Sequence, residues 1–352
     1  MQPRRGKCSG ACRTVLLWGE PACKAEENDG WQKKQEGKGR RIVKGLELSE
    51  KYYREYGERM IREQFPEIAG QAAAGLVGYG SECLGFDDEI SRDHDYGPSF
   101  CVWLPREIYR QYGEKLQTAY NALPKAFMGF GGRVEEEQGK GRVGALCLED
   151  FYLEILGRES APETAQEWFM IPEPSLCAAV GGQVFEDFLG RFTEIRNALL
   201  AYYPEEVWRK KLAESLARAA QAGQYNYARA MKRGERIAAE IALTEFVKEA
   251  MQIVYLLNKK YAPFYKWMHR GLRDLSVCGE IGDMLSLLYQ VPDPAAAWEG
   301  AGPADFLYQL NTGDGRVVVI EAVCNVLVQT LNEMGLSRVQ DNFLQMHVGE
   351  VL

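Results

Sequence analysis

Acidic residues that follow a Gly-Ser pair are the part of this sequence best suited to chemistry. The stretch GYGSECLGFDDEISRDHD places Gly80 and Ser81 at the end of an apolar run, and eleven residues separate Ser81 from Asp93. Glycine lets backbone N–H groups approach a phosphate closely, and the serine hydroxyl adds a further donor. Gly80 and Ser81 are therefore a candidate phosphate cradle.

Asp93 and Asp95 are a candidate metal site. If the chain enters a strand at Asp93, both carboxylates project from the same face. Hard oxygen ligands of this kind suit Mg²⁺, which bridges carboxylates to nucleotide phosphates. His94 would face away from such a metal, so a structural histidine is favoured over a catalytic base. An acidic turn is the alternative for the whole segment, and we interpret Asp87 and Asp88 as solvated turn residues.

The elements that must position these residues are short apolar strands between glycine-rich turns. We expect strands at GLVGYG, SFCVWL, KAFMGF, VGALCL and QVFE. Before them, a helix is expected to begin at Ser49 as N-cap and to end before Pro66, and Pro105 opens another helix after SFCVWL. The mixed pattern ends near residue 190 and indicates an α+β domain over residues 45–190.

Beyond residue 190 the sequence becomes helical. PEEVWRKKLAESLARAAQAG predicts a helix that starts at Pro204 and stops at Gly223. Apolar residues at three- and four-residue steps predict further helices over residues 225–257 and 317–334. We therefore expect an all-α helical bundle over residues 191–352, with a ligand cleft between the two domains.

Composition limits the class of protein. A net charge of −8 without a long Lys/Arg run makes nucleic acid an improbable partner and favours a small or cationic one. The nine cysteines form no regular CxxC pairs, which argues against a disulfide framework or a zinc module and for the cytoplasm. No apolar run reaches membrane-span length. Residues 1–44 are expected to be a disordered arm, or to result from a start assigned too far upstream.

The strand, the Gly-Ser pair and the Asp-x-Asp on the next strand resemble the nucleotidyltransferase superfamily, which has the polymerase-beta-like fold. The run GSECLGFDDEISRDHDYGP, with AQAGQYNYARAMKRGER and LLNKKYAPFYKW downstream, also resembles an uncharacterised bacterial family of nucleotidyltransferase-like proteins with a helical C-terminal domain. This closer resemblance covers most of residues 45–345. It implies an N-terminal mixed sheet with flanking helices, followed by the helical bundle.

The resemblance also implies roles for the first site residues. Gly80 and Ser81 would hold the triphosphate of an NTP such as ATP, and Asp93 and Asp95 would ligate Mg²⁺. Active members of the superfamily carry a third carboxylate on a neighbouring strand, which activates the acceptor or completes the metal site.

The third carboxylate has no clear counterpart, since no acid lies inside VGALCL. The candidates are Glu149 and Asp150, directly after that segment, and Asp187 in QVFED. Relatives commonly carry an apolar residue where His94 stands.

Polar and aromatic residues of the helical half could stack a base or grip phosphates. They are Gln224, Tyr225, Asn226, Arg229, Arg233, Tyr265 and Lys266. For each of them an ordinary solvated helix face is the alternative.

Two functions compete at this stage. The first is a Mg²⁺-dependent nucleotidyltransferase that moves a nucleoside monophosphate from an NTP to a hydroxyl or amine of a small molecule, such as an aminoglycoside-like compound, or of a protein. The second is a catalytically silent nucleotide-binding or regulatory protein of the toxin–antitoxin type. The unassigned third carboxylate motivates the second function.

Overall fold

The computed structural model describes residues 43–92, 96–133, 141–292, 294–299 and 310–352. Within these ranges the chain from Val43 to Leu352 forms one compact unit. Its architecture is α+β, as expected. Residues 1–42 of the predicted arm and the segment Asp93–Asp95 lie outside the described residues, and the predicted domain boundary near residue 190 stays a prediction.

The sheet has four strands, β1 (Ala73–Leu76), β2 (Cys101–Leu104), β3 (Gly144–Cys147) and β4 (Gln183–Asp187). Their order is β3-β2-β1-β4, with β1 antiparallel to both neighbours and β2 parallel to β3. Four of the five predicted strands are thereby confirmed. KAFMGF is no strand, because Phe127 and Phe130 form only an isolated bridge around a tight turn.

Helices flank the sheet and then make up most of the C-terminal half. The α-helices are α1 (Gly45–Tyr52), α2 (Glu58–Gln64), α3 (Arg106–Asn121), α4 (Leu148–Leu156), α5 (Ala165–Met170), α6 (Glu173–Val180), α7 (Arg191–Leu200), α8 (Glu205–Ala219), α9 (Ala228–Lys232), α10 (Arg236–Leu257), α11 (Tyr265–Gly271), α12 (Ile281–Leu287), α13 (Gly315–Glu333) and α14 (Val348–Val351). Two π-helical segments, Tyr53–Gly57 and Ala220–Tyr227, join α1 to α2 and α8 to α9.

The first helix begins four residues earlier than predicted, at Gly45. A residue far along the chain caps it: the Asp87 carboxylate accepts a 2.9 Å hydrogen bond from the Gly45 N–H group. The Asp87 side chain is buried. The interpretation of Asp87 as a solvated turn residue is therefore wrong. Ser49 is not the N-cap, since it lies inside the helix and its hydroxyl donates a 2.6 Å hydrogen bond to the Ser99 carbonyl.

Gly223 does not stop the helix that starts after Pro204. The chain continues through the π-helical segment into α9 and turns only at Gly234, where φ is +73°. A Cβ atom at Gly223 would collide with the ring of Phe246 on α10. Glycine is therefore required at this position for close packing between helices, and the prediction of a stop is wrong.

Among the helices in the described ranges, α13 alone is long and apolar enough to cross a membrane. Its apolar stripe is buried in the protein core, through Val317, Ile320, Val323, Cys324, Leu327, Val328 and Leu331. Asp314 caps its N-terminus and also accepts hydrogen bonds from the side chains of Tyr227 and Trp298. This is the arrangement of a core helix.

The end of β1 is fixed by a turn at Gly181 and Gly182. The half-buried guanidinium of Arg196 donates to both of their carbonyls at 3.1 and 3.0 Å, and the Gly182 N–H group donates to the Cys83 carbonyl at 2.7 Å. Gly182 has φ +75°, and a Cβ atom there would collide with the Leu76 carbonyl. Only glycine fits this position.

Glu173 connects α6 to the helical half. Its carboxylate accepts hydrogen bonds from the Gln252 side chain at 2.7 Å and from the Ala262 N–H group at 3.2 Å. Burial beside Tyr202 and Tyr203 raises the pKa of Glu173 from 4.5 to about 7, although these hydrogen bonds and Lys211 oppose the rise. The Glu173–Ala262 bond fixes the segment that leads into α11.

We expect Gly182→Ala to lower the free energy of unfolding by about 2 kcal/mol or more, because both the backbone angle and the close approach exclude a side chain. Urea denaturation would measure this. Gly70→Ala is the matched control, since nothing lies within 4 Å of a Cβ atom at that position. Equal stability of the two variants would contradict the role assigned to this turn.

The raised pKa of Glu173 makes stability depend on pH. Because the folded state holds this proton more tightly than the unfolded state, the stabilisation is complete below about pH 4.5 and is lost as pH rises through about 7. The loss is on the order of 3 kcal/mol, at about 1.4 kcal/mol per pKa unit. Urea midpoints of wild type and Glu173→Gln from pH 5 to 8 should therefore converge toward low pH, with the variant relatively more stable at pH 8. Parallel profiles would show that Glu173 is ionised throughout.

Candidate functional site

A cleft of about 660 Å³ lies between the turn that follows β1 and the helix α11. Its walls come from several parts of the chain. They are residues 76–83 at the end of β1 and in the turn after it, the loop residues Asp88, Ile90 and Ser91, Tyr109 of α3, Arg133, residues 141–143 before β3, the β3–α4 residues Leu146, Cys147, Asp150, Phe151, Glu154 and Ile155, and the α11 residues Lys266 and Trp267. The sequence-predicted residues Gly80, Ser81, Asp150 and Lys266 are thus brought together.

The Gly80-Ser81 turn has the backbone of a tight, self-contained loop. The carbonyl of Gly80 accepts from Cys83 N–H at 3.0 Å, and that of Ser81 accepts from Phe86 N–H at 2.9 Å. Both carbonyl groups are therefore used inside the turn. The Ser81 hydroxyl lines the cleft and has no hydrogen-bond partner among the described residues, so it remains available to a ligand.

Glu82 lies directly beneath this turn and was not predicted. Its side chain is only 6% exposed, and its Oε1 atom lies 3.4 Å from Nη1 of the equally buried Arg133. A Cβ atom at Gly80 would lie 2.5 Å from Glu82 Oε2, so a larger residue there would displace the carboxylate. The Arg133 charge offsets that of Glu82, which keeps the cradle from repelling an anion.

The loop between the Gly-Ser turn and the Asp93–Asp95 segment is attached to α11. Asp88 forms a 2.8 Å ion pair with Arg270, whose guanidinium stacks over the rings of Phe86 and Trp267. Hydrogen bonds from Ser91 and Arg270 hold the pKa of Asp88 at about 2. Asp88 does lie in a turn with its side chain 41% exposed, and in addition it anchors this loop to α11 through Arg270.

Two of the three candidates for the third carboxylate have structural roles. Asp187 accepts hydrogen bonds from Gly190 N–H at 3.0 Å and Thr193 N–H at 2.7 Å, so it caps the start of α7. Glu149 accepts from the Arg106 backbone at 2.9 Å. Neither residue lines the cleft.

The third candidate, Asp150, does line the cleft. It is largely exposed and forms a 2.8 Å ion pair with Arg106. Glu154 lies one helical turn further along α4 and also lines the cleft, and it forms no ion pair or hydrogen bond with a described residue. The four-residue spacing of Asp150 and Glu154, which places both on one helix face, could have revealed Glu154 from sequence.

Most candidates of the helical half lie away from the cleft. Gln224 donates to Glu321 and to the Asn342 carbonyl and accepts from Leu344 N–H, which joins α13 to the C-terminal segment. Tyr225 is stacked under Arg229, with the guanidinium carbon 4.8 Å from the ring centroid.

The remaining two, Asn226 and Arg233, are exposed, and none of the five residues from Gln224 to Arg233 lines the cleft. Lys266 is the single candidate of this half that does. Tyr265 next to it is exposed, and Trp267, which was not among the predicted site residues, forms part of the cleft wall.

A complete metal site is not present among the described residues, since they contain no group of three or more His, Cys, Asp or Glu side chains placed to hold a metal ion. The predicted ligands Asp93 and Asp95 lie outside the described ranges. Among the described residues of the cleft wall, Asp150 and Glu154 offer carboxylate oxygens, the ligand type that Mg²⁺ prefers.

Comparison with known proteins gives one family match. Residues 168–268 match the model of a family described as "Domain of unknown function (DUF4037)". The matched span contains Glu173 and the cleft residues Lys266 and Trp267, but not the Gly80-Ser81 turn. None of the curated proteins and none of the solved structures matches this chain.

Proposed function

We propose that this protein is a cytoplasmic, Mg²⁺-dependent nucleotidyltransferase that moves a nucleoside monophosphate from an NTP, with ATP as the first choice, to a hydroxyl or amine of a small-molecule or protein acceptor. One observation carries the proposal. The Gly80-Ser81 turn, the loop that leads into Asp93–Asp95 and the cation Lys266 all line the same cleft.

The cleft suits a nucleotide in size and in the groups it presents. Its volume of about 660 Å³ lies within the range of small-molecule sites. The Ser81 hydroxyl and the glycine-rich backbone would bind phosphate oxygens, and the Lys266 ammonium would offset their charge. The exposed ring of Tyr79 would stack a base, and the Trp267 ring, which Arg270 and Phe86 hold in place, adds apolar wall.

Each side chain has a defined part in the transfer. Asp93 and Asp95 would hold Mg²⁺, which would neutralise the charge of the phosphates. The acceptor oxygen or nitrogen forms the bond to the α-phosphorus while the bond from that phosphorus to the bridging oxygen of the β-phosphate breaks, and pyrophosphate leaves. Asp150, within the cleft wall, takes the proton that the acceptor loses.

Cytoplasmic location is supported by the state of the thiols. The six cysteines that the structure describes are all free, and burial raises the pKa of Cys101 and Cys177 to about 12. Buried, protonated thiols of this kind are typical of proteins in a reducing compartment.

A silent nucleotide-binding protein of the regulatory or toxin–antitoxin type is the second candidate, and one observation favours it. Asp187 and Glu149 are both occupied with backbone N–H groups, and Asp150 is already paired with Arg106. A nucleotide site without a working third carboxylate would bind NTP and release no pyrophosphate.

The nucleotide site can be tested by thermal shift with each NTP, with and without Mg²⁺. We expect a Mg²⁺-dependent rise in melting temperature that is lost in Asp93→Asn/Asp95→Asn, since the metal links these carboxylates to the phosphates. Glu89→Gln, which removes an exposed acid from the same loop, is the matched control and should keep the shift. No shift with any NTP would leave the segment as an acidic turn only.

Paired variants separate the acid in the cleft from the acid that caps a helix. We expect Asp150→Asn to lower pyrophosphate release at least tenfold with little change in unfolding free energy, because the exposed pair with Arg106 contributes about 0–1 kcal/mol. Asp187→Asn should lower the unfolding free energy by about 1 kcal/mol, because an amide keeps only one of the two oxygens that accept from Gly190 and Thr193, and should leave nucleotide binding unchanged.

Release assays with a panel of acceptors, together with urea denaturation, measure both effects. The reverse pattern would assign catalysis to Asp187. Nucleotide binding with no release from the wild type, with any acceptor, would favour the silent protein.

A further inference from the structure

A second cavity, of about 290 Å³, adjoins the cleft. Gly78, Tyr79, Arg142, Lys266 and Trp267 line both spaces. We call the second cavity the annex. Its own walls are Leu84, Pro174, Cys177, Ala178, Pro263 and Phe264.

The chemistry of the annex differs from that of the cleft. The cleft wall carries the carboxylates of Glu82, Asp88, Asp150 and Glu154, whereas no described residue that lines the annex is acidic. The annex walls are apolar, and the residues it shares with the cleft include two cations. Lys266 is exposed and forms no ion pair with a described residue; its Nζ atom lies 5.4 Å from the Trp267 ring centroid.

The annex walls are held in place by contacts outside it. Glu173 at the start of α6 binds the Ala262 N–H group, which sets the position of Pro263 and Phe264. Trp267 packs against Phe86, with ring centroids 5.5 Å apart. The cavity is therefore built by the fold before any ligand arrives, as binding sites for small molecules usually are.

The turn after β1 connects the annex with the phosphate cradle. Gly78 and Tyr79 line both cavities, whereas the next two residues, Gly80 and Ser81, line the cleft alone. A molecule seated in the annex thus has one end within two residues of the proposed phosphate site. That is the position an acceptor must take to reach a bound nucleotide.

We propose that the annex is the acceptor site and that it takes an apolar molecule, about the size of one aromatic ring with a short side chain, whose anionic group pairs with Lys266. The size follows from the volume, since a cavity of about 150 Å³ holds one benzene ring. The sign of the charge follows from Lys266 and from the absence of acids among the described annex residues. The assignment rests on the proposed nucleotidyltransferase function and replaces a cationic, aminoglycoside-like acceptor with an anionic one.

The charge preference can be measured on the full chain without nucleotide. Isothermal titration calorimetry would compare 3-(4-hydroxyphenyl)propionate with tyramine, two probes that share the ring and differ in the sign of the charge. We expect the propionate to bind at least about fivefold more tightly than tyramine, as a single ion pair worth about 1 kcal/mol gives. Lys266→Gln should abolish this preference, and Lys260→Gln, which removes an exposed lysine outside both cavities, should keep it.

A second variant tests the location. Cys177→Phe fills the annex and should abolish binding of both probes while the Mg²⁺-ATP thermal shift persists. Tighter binding of tyramine, or a propionate preference that survives Lys266→Gln, would overturn the proposal. Loss of the ATP shift in a folded Cys177→Phe would overturn it too, since the annex would then hold the nucleobase.

Failure of the acceptor assignment is distinguishable from failure of the proposed function. If the propionate does not bind to the wild type but Mg²⁺-ATP still shifts its melting temperature, only the acceptor assignment is refuted. If the propionate binds with the expected preference but no NTP shifts the melting temperature, the nucleotide site is refuted and the annex remains an anion-selective site.

Discussion

Two adjacent carboxylates, Asp87 and Asp88, hold the loop on which the rest of the site depends. Asp87 turns inward and caps the N-terminus of α1, and Asp88 turns outward and pairs with Arg270 of α11. The chain between the Gly-Ser turn and the Asp93–Asp95 segment is thereby attached to both the N-terminal helix and the helical half. Because one carboxylate is buried and the other is ion-paired, neither can be moved without breaking a contact to a distant element.

Neighbouring cations offset two of the acids that line the cleft. Its sheet side carries acids, of which Glu82 is offset by Arg133 and Asp150 by Arg106. Its α11 side carries the cation Lys266 beside an aromatic wall. Phosphates are placed near Ser81 because its hydroxyl and the glycine-rich backbone offer donors where the acid beneath them is already offset by Arg133. The aromatic wall suits the flat apolar end of such a ligand.

The local part of this organisation could be predicted from sequence. Short apolar runs and glycine-rich turns located β1, β2, β3 and β4, and the Gly-Ser turn does lie at the cleft. What failed depends on contacts between distant residues. The cap of α1 comes from Asp87, 42 positions away from Gly45, and Gly223 is required by Phe246 on another helix.

The same reason explains the errors at the site. Asp187 was a candidate because of its position after a strand, but its hydrogen bonds to Gly190 and Thr193 are set by the turn into α7. Glu82 and Trp267 were missed for a related reason. Neither the burial of Glu82 nor the position of Trp267 across the cleft from the Gly-Ser turn produces a periodic pattern in the sequence.

The π-helical segment Ala220–Tyr227 has a consequence for how this chain can change in length. A π-helical turn accommodates extra residues relative to the α-helical repeat. Because the wide turn absorbs an extra residue without rotating the helix beyond it by a full residue step, loss of one residue from this segment would restore regular α-helical hydrogen bonding and leave α9 facing nearly the same way. An insertion into the regular part of α8 would instead rotate everything beyond it by about 100°, the angle between successive residues of an α-helix. Changes in length are therefore tolerated better in Ala220–Tyr227 than in the helix that precedes it.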